Sequence, residues 1–324
     1  MKTFFSAPLA IMICASGCVA PSPASPPQVV DLARDSTAIA IEVHTSHDLA
    51  LFLFSYHAAR SLSDRELRNR RPLSVKDAAL LAEHAEAFAP VYAAFQPYLD
   101  AHPLFDRNML FMGANLTGGL VEFPDPAVSA AMDAFRPTYE AYFAPAHRAA
   151  TDSYRAMLES QIAQYGDAMA RAVVRELSGE WRVEPIRIDV VPYATRIGAY
   201  TNSHHTVISA SQPDYRTHAL EMAFHEAAHT DPMFSQLREV AAEALEANGL
   251  EERRFWHYLQ FYGVGRAARS VLGEDYVPYH EATGLSSRSA KPWYDAIAAV
   301  WDDHDTLRDR AHAAAALIAA REAS

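Results

Sequence analysis

Residues 213–232 read PDYRTHALEMAFHEAAHTDP, and this stretch decides the fold. Its apolar and small residues predict one helix that begins near Pro213 and ends at Pro232, because proline cannot continue a helix. Within it, His225 and His229 stand four residues apart. Their imidazoles therefore project from the same face of the helix, where they can bind one metal ion. The stretch predicts a helix that supplies two metal ligands.

Glu226 completes the pattern His-Glu-x-x-His. It lies one step round the helix, so its carboxylate can reach a metal-bound water without binding the metal. Zinc lowers the pKa of such a water toward about 7, and the carboxylate accepts its proton during attack on a carbonyl. A chance match is the alternative in a chain with 15 histidines, but uncompensated charges in so apolar a stretch would be costly. Glu226 is the predicted general base and Zn²⁺ the predicted cofactor.

The rest of the sequence predicts an α+β fold that is mainly helical. Apolar and charged residues alternate over residues 186–190, as in a half-buried strand, and residues 199–209 predict a second strand. We expect residues 36–180 to form a mainly helical region and residues 181–324 to form the catalytic region. The expected architecture is a small mixed sheet, the HExxH helix and an additional N-terminal helical layer.

Patterns in the first half define that helical layer. Residues 39–43 alternate as a short strand, and a strongly apolar helix begins near His47. A helical run over residues 126–177 is expected to break near Pro137 and Pro145, since proline lacks the backbone N–H that the helix needs.

A strand, an edge strand and then an HExxH helix resemble the layout of zincin metallopeptidases, over about residues 187–272. The chain looks more like the gluzincin branch, whose third ligand comes from a later helix. Pro232 and Ser235 stand where the metzincin extension has its glycine and third histidine. The chain also resembles poorly characterised bacterial lipoproteins that carry an HExxH domain. The resemblance implies a zinc metallopeptidase acting on a peptide or protein substrate.

The third zinc ligand has two kinds of candidate. The gluzincin pattern implies a glutamate, but Glu239, Glu243 and Glu246 lie opposite the apolar stripe of their helix, as a solvated face does. His257 stands among aromatic residues on a helix that is apolar nearly all round, and a buried histidine needs a polar partner. His257 is the preferred ligand, and a core histidine bonded to a carbonyl or carboxylate is the alternative. A third histidine would depart from the gluzincin set.

Tyr279 and His280 follow in a proline-containing loop after the His257 helix. In zincins a tyrosine or histidine from such a loop often stabilises the oxyanion, a role that the chemistry requires. The resemblance therefore makes both residues candidates for the oxyanion or substrate site, with ordinary packing as the alternative.

The N-terminus resembles the export signal of a bacterial lipoprotein. Lys2 precedes a short apolar stretch, and residues 15–18 read ASGC, like a lipobox. The resemblance implies a signal peptide over residues 1–17 and a lipid on Cys18, which would become the mature N-terminus. Residues 18–35 contain four prolines and predict a tether between that anchor and the folded body.

The residue after Cys18 is Val19 and not aspartate, which in Gram-negative lipoproteins favours the outer membrane. The expected location is the bacterial cell envelope, with the protein lipid-anchored and facing the periplasm or the exterior. An ordinary secretory signal with an incidental cysteine is the alternative.

Composition excludes several function classes. The formal charge of −12 argues against nucleic acid as a partner. The only cysteines are Cys14 and Cys18, so the body has no disulfide, thiolate ligand or cysteine nucleophile. Two alternatives to a peptidase stay open: a zinc amidase or esterase on a non-peptide substrate, and a non-catalytic zinc-binding lipoprotein. A non-catalytic zinc-binding lipoprotein would not require the carboxylate of Glu226.

Overall fold

A computed structural model describes residues 29–30, 40–63, 71–101, 125–182, 184–194, 198–202 and 205–323. Cys18, the signal-peptide region and all of the tether except residues 29–30 lie outside the described residues, so the lipid anchor stays a prediction. Within the described ranges, no helix combines the length and apolar character that a membrane crossing requires.

The described chain is mainly helical, as expected, with short strands. The strands are β1 (Val29–Val30), β2 (Ile41–His44), β3 (Trp181–Arg182), β4 (Ile186–Val191), β5 (Ala199–Asn202) and β6 (His205–Ser209). The helices are α1 (His47–Ser63), α2 (Val75–Glu83), α3 (Ala85–Ala101), α4 (Pro126–Thr138), α5 (Ala144–Leu177), α6 (Pro213–Thr217), α7 (Ala219–Ala227), α8 (Met233–Asn248), α9 (Phe255–Leu272), α10 (Tyr279–Ala282), α11 (Lys291–Val300) and α12 (Leu307–Glu322).

Four strands form a small mixed sheet in the order β2-β4-β6-β5, which confirms the expected sheet type. β2, β4 and β6 run parallel, and β5 pairs antiparallel with β6 at one edge. The single strand predicted over residues 199–209 is wrong, because this stretch contains two strands, β5 and β6, that pair antiparallel. Asparagine and serine at positions 202 and 203 are residue types that favour turns.

Helices cover both faces of this sheet. Ile188 and Ile208 pack into a core shared with α5, α7 and α9. Val207 and Tyr200 pack into a second core with α1, α3 and α4. Because both faces are buried, β6 is buried along its whole length. β2 belongs to residues 36–180, the region predicted to be mainly helical. It nevertheless pairs with β4 of residues 181–324, the predicted catalytic region.

The α-helical run is interrupted near Pro137 and Pro145, as expected, because α4 ends at Thr138 and α5 begins at Ala144. Pro137 lies inside α4, Pro145 lies in the first turn of α5, and a π-helical turn over Tyr139–Phe143 joins the two helices. Proline is tolerated in a first turn because the N–H it lacks has no partner there. The wider π-helical turn accommodates the irregularity after Pro137 and separates the two α-helices.

The helix predicted from Pro213 to Pro232 is divided. It breaks at His218, whose Nδ1 lies 2.8 Å from the carbonyl oxygen of Asp214 at the end of α6. α7 then ends at Ala227, five residues before Pro232. Toward the C-terminus, a 3₁₀ turn at Trp301–Asp303 separates α11 from α12.

Candidate metal centre

The HExxH helix α7 lies entirely inside the protein, and all nine of its residues are buried. It packs against β5, α5 and α9. Gln260 of α9 is fully buried and donates its side-chain N–H to the carbonyl oxygen of His225 at 2.8 Å. This bond fixes α9 against α7, so a histidine near the start of α9 is held beside those of α7.

His225, His229 and His257 point their Nε2 atoms at one another. His225 Nε2 lies 3.2 Å from His229 Nε2 and 3.2 Å from His257 Nε2. Zinc with nitrogen ligands at about 2.0–2.1 Å in tetrahedral geometry separates neighbouring nitrogens by about 3.3–3.4 Å. The three histidines, called the triad below, could therefore hold a metal ion.

His229 belongs to the triad although it lies beyond the end of α7. The chain closes there in a hydrogen-bonded turn, in which the His229 N–H donates to the carbonyl oxygen of Glu226 at 3.1 Å. The turn keeps His229 on the same side as His225, so the two imidazoles can still bind one metal ion.

The triad is held in its neutral form. Burial lowers the pKa of His225 well below its usual value, and the neighbouring His229 and His257 lower it further. The pKa of His229 is also lowered well below normal by burial, and burial lowers that of His257 to about 4. A neutral imidazole has the lone pair that a metal requires.

The glutamate candidates for the third ligand lie elsewhere. Glu239 and Glu246 are exposed, and Glu243 forms an ion pair with Arg308 of α12. Among the described residues, the group of potential ligands that includes the HExxH histidines is completed by His257.

Glu226 is next to His225 in sequence and is buried, at 5 % exposure. The Thr201 hydroxyl of edge strand β5 lies 2.9 Å from Glu226 Oε2 and 2.8 Å from the Glu226 carbonyl oxygen, and can donate to either. Burial raises the pKa of Glu226 to about 8, against the opposing effect of the Thr201 bond. Thr201 thus fixes both the carboxylate and the end of α7 against the sheet.

Tyr279 begins the short helix α10 and is 5 % exposed. Its ring stacks on Phe261, with ring centroids 6.0 Å apart, and Phe261 in turn stacks on His225 at 3.9 Å. The Tyr279 hydroxyl accepts hydrogen bonds from Tyr215 and Arg71. Phe261 therefore separates the Tyr279 ring from the triad.

His280 is enclosed. It is 2 % exposed and stacks on Tyr294 of α11 with ring centroids 5.0 Å apart. A Cβ added to Gly265 of α9 would stand 3.3 Å from its Nε2. Burial lowers the pKa of His280 to about 4.

Sequence reasoning missed Glu221, one turn before His225 on α7. It is 1 % exposed and accepts hydrogen bonds from the Tyr276 hydroxyl at 2.7 Å and from the Tyr279 backbone N–H at 2.9 Å. Burial raises the pKa of Glu221 to about 7, although both bonds oppose that shift. Glu221 ties the Tyr276–Tyr279 loop to the HExxH helix. A carboxylate in a wholly apolar helix was the available signal.

Aromatic side chains surround the open side of the triad. Phe234 and Trp256 meet edge to face at 5.2 Å, and each lies beside the His229 ring, at 5.9 and 5.5 Å. Both are partly exposed, as are His229 and His257. The triad is therefore reached from solvent past an apolar wall.

The chain matches no family model, no curated protein and no solved structure. Its likeness to zincins rests on the motif and its setting.

Proposed function

We propose that the protein is a zinc-dependent hydrolase, and specifically a metallopeptidase. The observation that carries the proposal is the meeting of three imidazole Nε2 atoms, from α7, the turn that follows it and α9, with the buried carboxyl group of Glu226 next to His225 in sequence. A site that only binds metal has no need of that carboxylate.

Zinc is the metal that the donor set favours. Imidazole nitrogens suit zinc, copper, iron or nickel, and three histidines with a fourth position left open are a known catalytic zinc arrangement. When bound, zinc supplies a Lewis acid that polarises a carbonyl group and lowers the pKa of water. His225, His229 and His257 would hold it.

Glu226 would act as the general base. It accepts the proton of the attacking water and passes it to the leaving amine. The Thr201 hydroxyl keeps one oxygen of the carboxylate in place, and the other is left for the water. Because burial raises the pKa of Glu226 to about 8, the ionised carboxylate is a stronger proton acceptor than an exposed one.

The edge strand supports a peptide as the substrate. Within the described residues β5 pairs only with β6, and through Thr201 it contacts Glu226. An unpaired strand edge binds an extended peptide through main-chain hydrogen bonds. A peptide lying along β5 would pass the triad and the partly exposed Phe234 and Trp256. A non-peptide amide or ester is the second candidate, because the same carboxylate would serve its hydrolysis.

Location is part of the proposal. A lipid on Cys18 would tether the body to the cell envelope through the proline-rich segment, most readily at the outer membrane.

Two measurements test the function together. The purified chain, dialysed against metal-free buffer, should retain close to one zinc per molecule by elemental analysis. It should then cleave members of a quenched peptide library, and a chelator should abolish that cleavage. A chain that neither contains nor takes up zinc contradicts the proposal, whereas a zinc-loaded chain that cleaves only esters or non-peptide amides favours the second candidate.

A further inference from the structure

Arg71 is connected to the candidate active site through Tyr215 and Tyr279, although it is more than 150 residues from the HExxH motif in sequence. Two buried side chains fix its short backbone segment. His57 contacts the Arg71 carbonyl oxygen through Nε2 at 3.0 Å, and the Ser74 backbone N–H donates to the Tyr193 hydroxyl at 3.0 Å. The position of Arg71 is therefore set by the core and not by its own side chain.

The guanidinium group is held by neutral groups. It donates to the side-chain oxygen of buried Gln212 and to the Tyr279 hydroxyl, and it lies over the ring of Tyr215, 5.9 Å from the centroid. Within the described part of the chain, no carboxylate forms an ion pair with it. An arginine has five N–H donors, so this one keeps donors for a further acceptor.

Arg71 and the general base act on the same hydroxyl. Burial raises the pKa of the Tyr215 hydroxyl well above its usual value, the charge of Glu226 adds to that shift and the charge of Arg71 opposes it. The Tyr215 hydroxyl stands 3.1 Å from where a Cβ on Gly198 would be, just before β5 begins. Thr201, three residues along, contacts Glu226. At about 3.3 Å per residue, the Arg71 end of β5 lies about 10 Å from Glu226.

We propose that Arg71 is a specificity-determining residue that recognises a carboxylate on the substrate, two or three residues from the bond that is cleaved. The inference rests on the proposed peptidase function and names its substrate class: short peptides with a negative charge at one end. A guanidinium group matches a carboxylate with two parallel N–H bonds, and here Gln212 and Tyr279 orient it beforehand.

The carboxylate has two sources in a peptide, the free C-terminus and an aspartate or glutamate side chain. The experiment separates them with one quenched library made in three forms: as C-terminal acids, as C-terminal amides, and as amides with an internal Asp or Asn at matched positions. The wild-type protein should cleave the acids, or the Asp-containing amides, with kcat/KM about 10- to 100-fold above their neutral partners, as a charge-assisted pair provides.

Arg71→Gln should abolish that preference and leave cleavage of the neutral peptides within about threefold, and Arg71→Lys should keep part of it. Zinc content and the melting temperature establish that both variants are folded. Arg238→Gln is the matched control. Arg238 is exposed and lies over Phe234 on another side of the triad, 5.6 Å from the ring centroid, so its loss should not change the ratio. Three results would overturn the assignment. The wild-type protein could show equal kcat/KM for charged and neutral peptides in both comparisons. The preference for charged peptides could persist in Arg71→Gln, or it could be lost in Arg238→Gln.

Failure of the peptidase proposal is distinguishable from failure of this inference. If the wild-type protein cleaves neither acids nor amides, the peptidase proposal fails. Calorimetry with trialanine and trialanine amide then decides the role of Arg71 by binding alone. If trialanine binds more tightly than its amide and Arg71→Gln removes that difference, the carboxylate site is supported. Equal binding of the two peptides to the wild-type protein overturns it.

Discussion

Two side-chain groups that contain histidine, both among the described residues, differ in the partners of their imidazoles. In the N-terminal helical layer, His147 Nδ1 lies 3.1 Å from the Tyr139 hydroxyl and its Nε2 lies 3.3 Å from Asp77 Oδ1. In the triad, the Nε2 atoms of His225, His229 and His257 face one another and no carboxylate.

The partners of the imidazole nitrogens distinguish a structural histidine from a candidate metal ligand better than burial does. In the first group, Asp77 is an acidic partner for the His147 ring and also accepts hydrogen bonds from Tyr193 and Ser74. Three neutral imidazoles pointing at one another lack a shared partner unless a cation lies between them. Changes in either group should therefore have different consequences, and the experiments below are ordered from the largest expected effect to the smallest.

Glu226→Gln should lower turnover by about 10²- to 10⁴-fold and leave zinc content near one per chain, because it removes the base and none of the ligands. Asp77→Asn is the matched carboxylate change in the other group. It should leave turnover unchanged and lower the free energy of unfolding by about 1–3 kcal/mol. Turnover on the best library peptide and elemental analysis compare the activity and zinc content of the two variants, and urea unfolding measures the loss of stability in Asp77→Asn. Full activity of zinc-loaded Glu226→Gln would rule out the mechanism.

His257→Ala should lower zinc affinity by more than about 100-fold, because even the loss of a partner outside the ligand set costs about 10- to 100-fold. The melting temperature should fall toward that of the chelated wild-type protein. His147→Ala should retain zinc and lower stability alone, by about 1–3 kcal/mol. Zinc titration of the two apo variants makes the comparison. If His257→Ala binds zinc as tightly as His147→Ala does, then His257 is a core histidine.

Stability at acidic pH should depend on Asp77. Although burial opposes the shift, the hydrogen bonds from His147, Tyr193 and Ser74 hold its pKa below the usual 3.8. Its contribution is therefore present in full above the unfolded-state pKa of 3.8 and is lost as the pH falls through the lower folded-state pKa. Urea unfolding of the wild-type protein and Asp77→Asn from pH 6 to pH 2 measures the effect. The two free energies should converge at the acidic end, and a constant gap would contradict the assignment.

Cys18→Ser should have the smallest effect on the folded body and change only where the protein is found. Zinc content, turnover and melting temperature should match the wild type, while the protein moves from the membrane fraction to the soluble fraction. Mass spectrometry of the wild-type N-terminus provides the control. A variant that still sediments with membranes, together with a wild type that carries no lipid, would contradict the anchor.

The sequence predicted where helices and strands form better than it predicted where they are interrupted. Periodicity located β4 and α9 because each has a regular pattern of apolar residues. It did not locate the break at His218, which depends on contacts of the His218 ring with Asp214 and with the carbonyl oxygen of Val277, 59 residues further on. A contact between residues so far apart in sequence cannot be predicted from the local pattern of apolar residues.

The same distinction applies to the site. His225, Glu226 and His229 share one motif, so spacing alone predicts them. His257 was preferred because of its aromatic surroundings, and the structure places it in the triad. Thr201, Glu221 and Arg71 were not found, since each acts through a partner on another element. Their role is visible only when the chain has folded.

The parallel pairing of β2 with β4 has a consequence for how the chain reaches its native state. Ile41 lies opposite Ile186, so about 145 residues separate the two partners. During synthesis at about 5–20 residues per second, β2 leaves the ribosome about 7–30 s before β4 exists to pair with it. The sheet, and with it the β5 edge beside Glu226, is therefore assembled late. A chaperone that binds the apolar segments of α1 would have that interval in which to act.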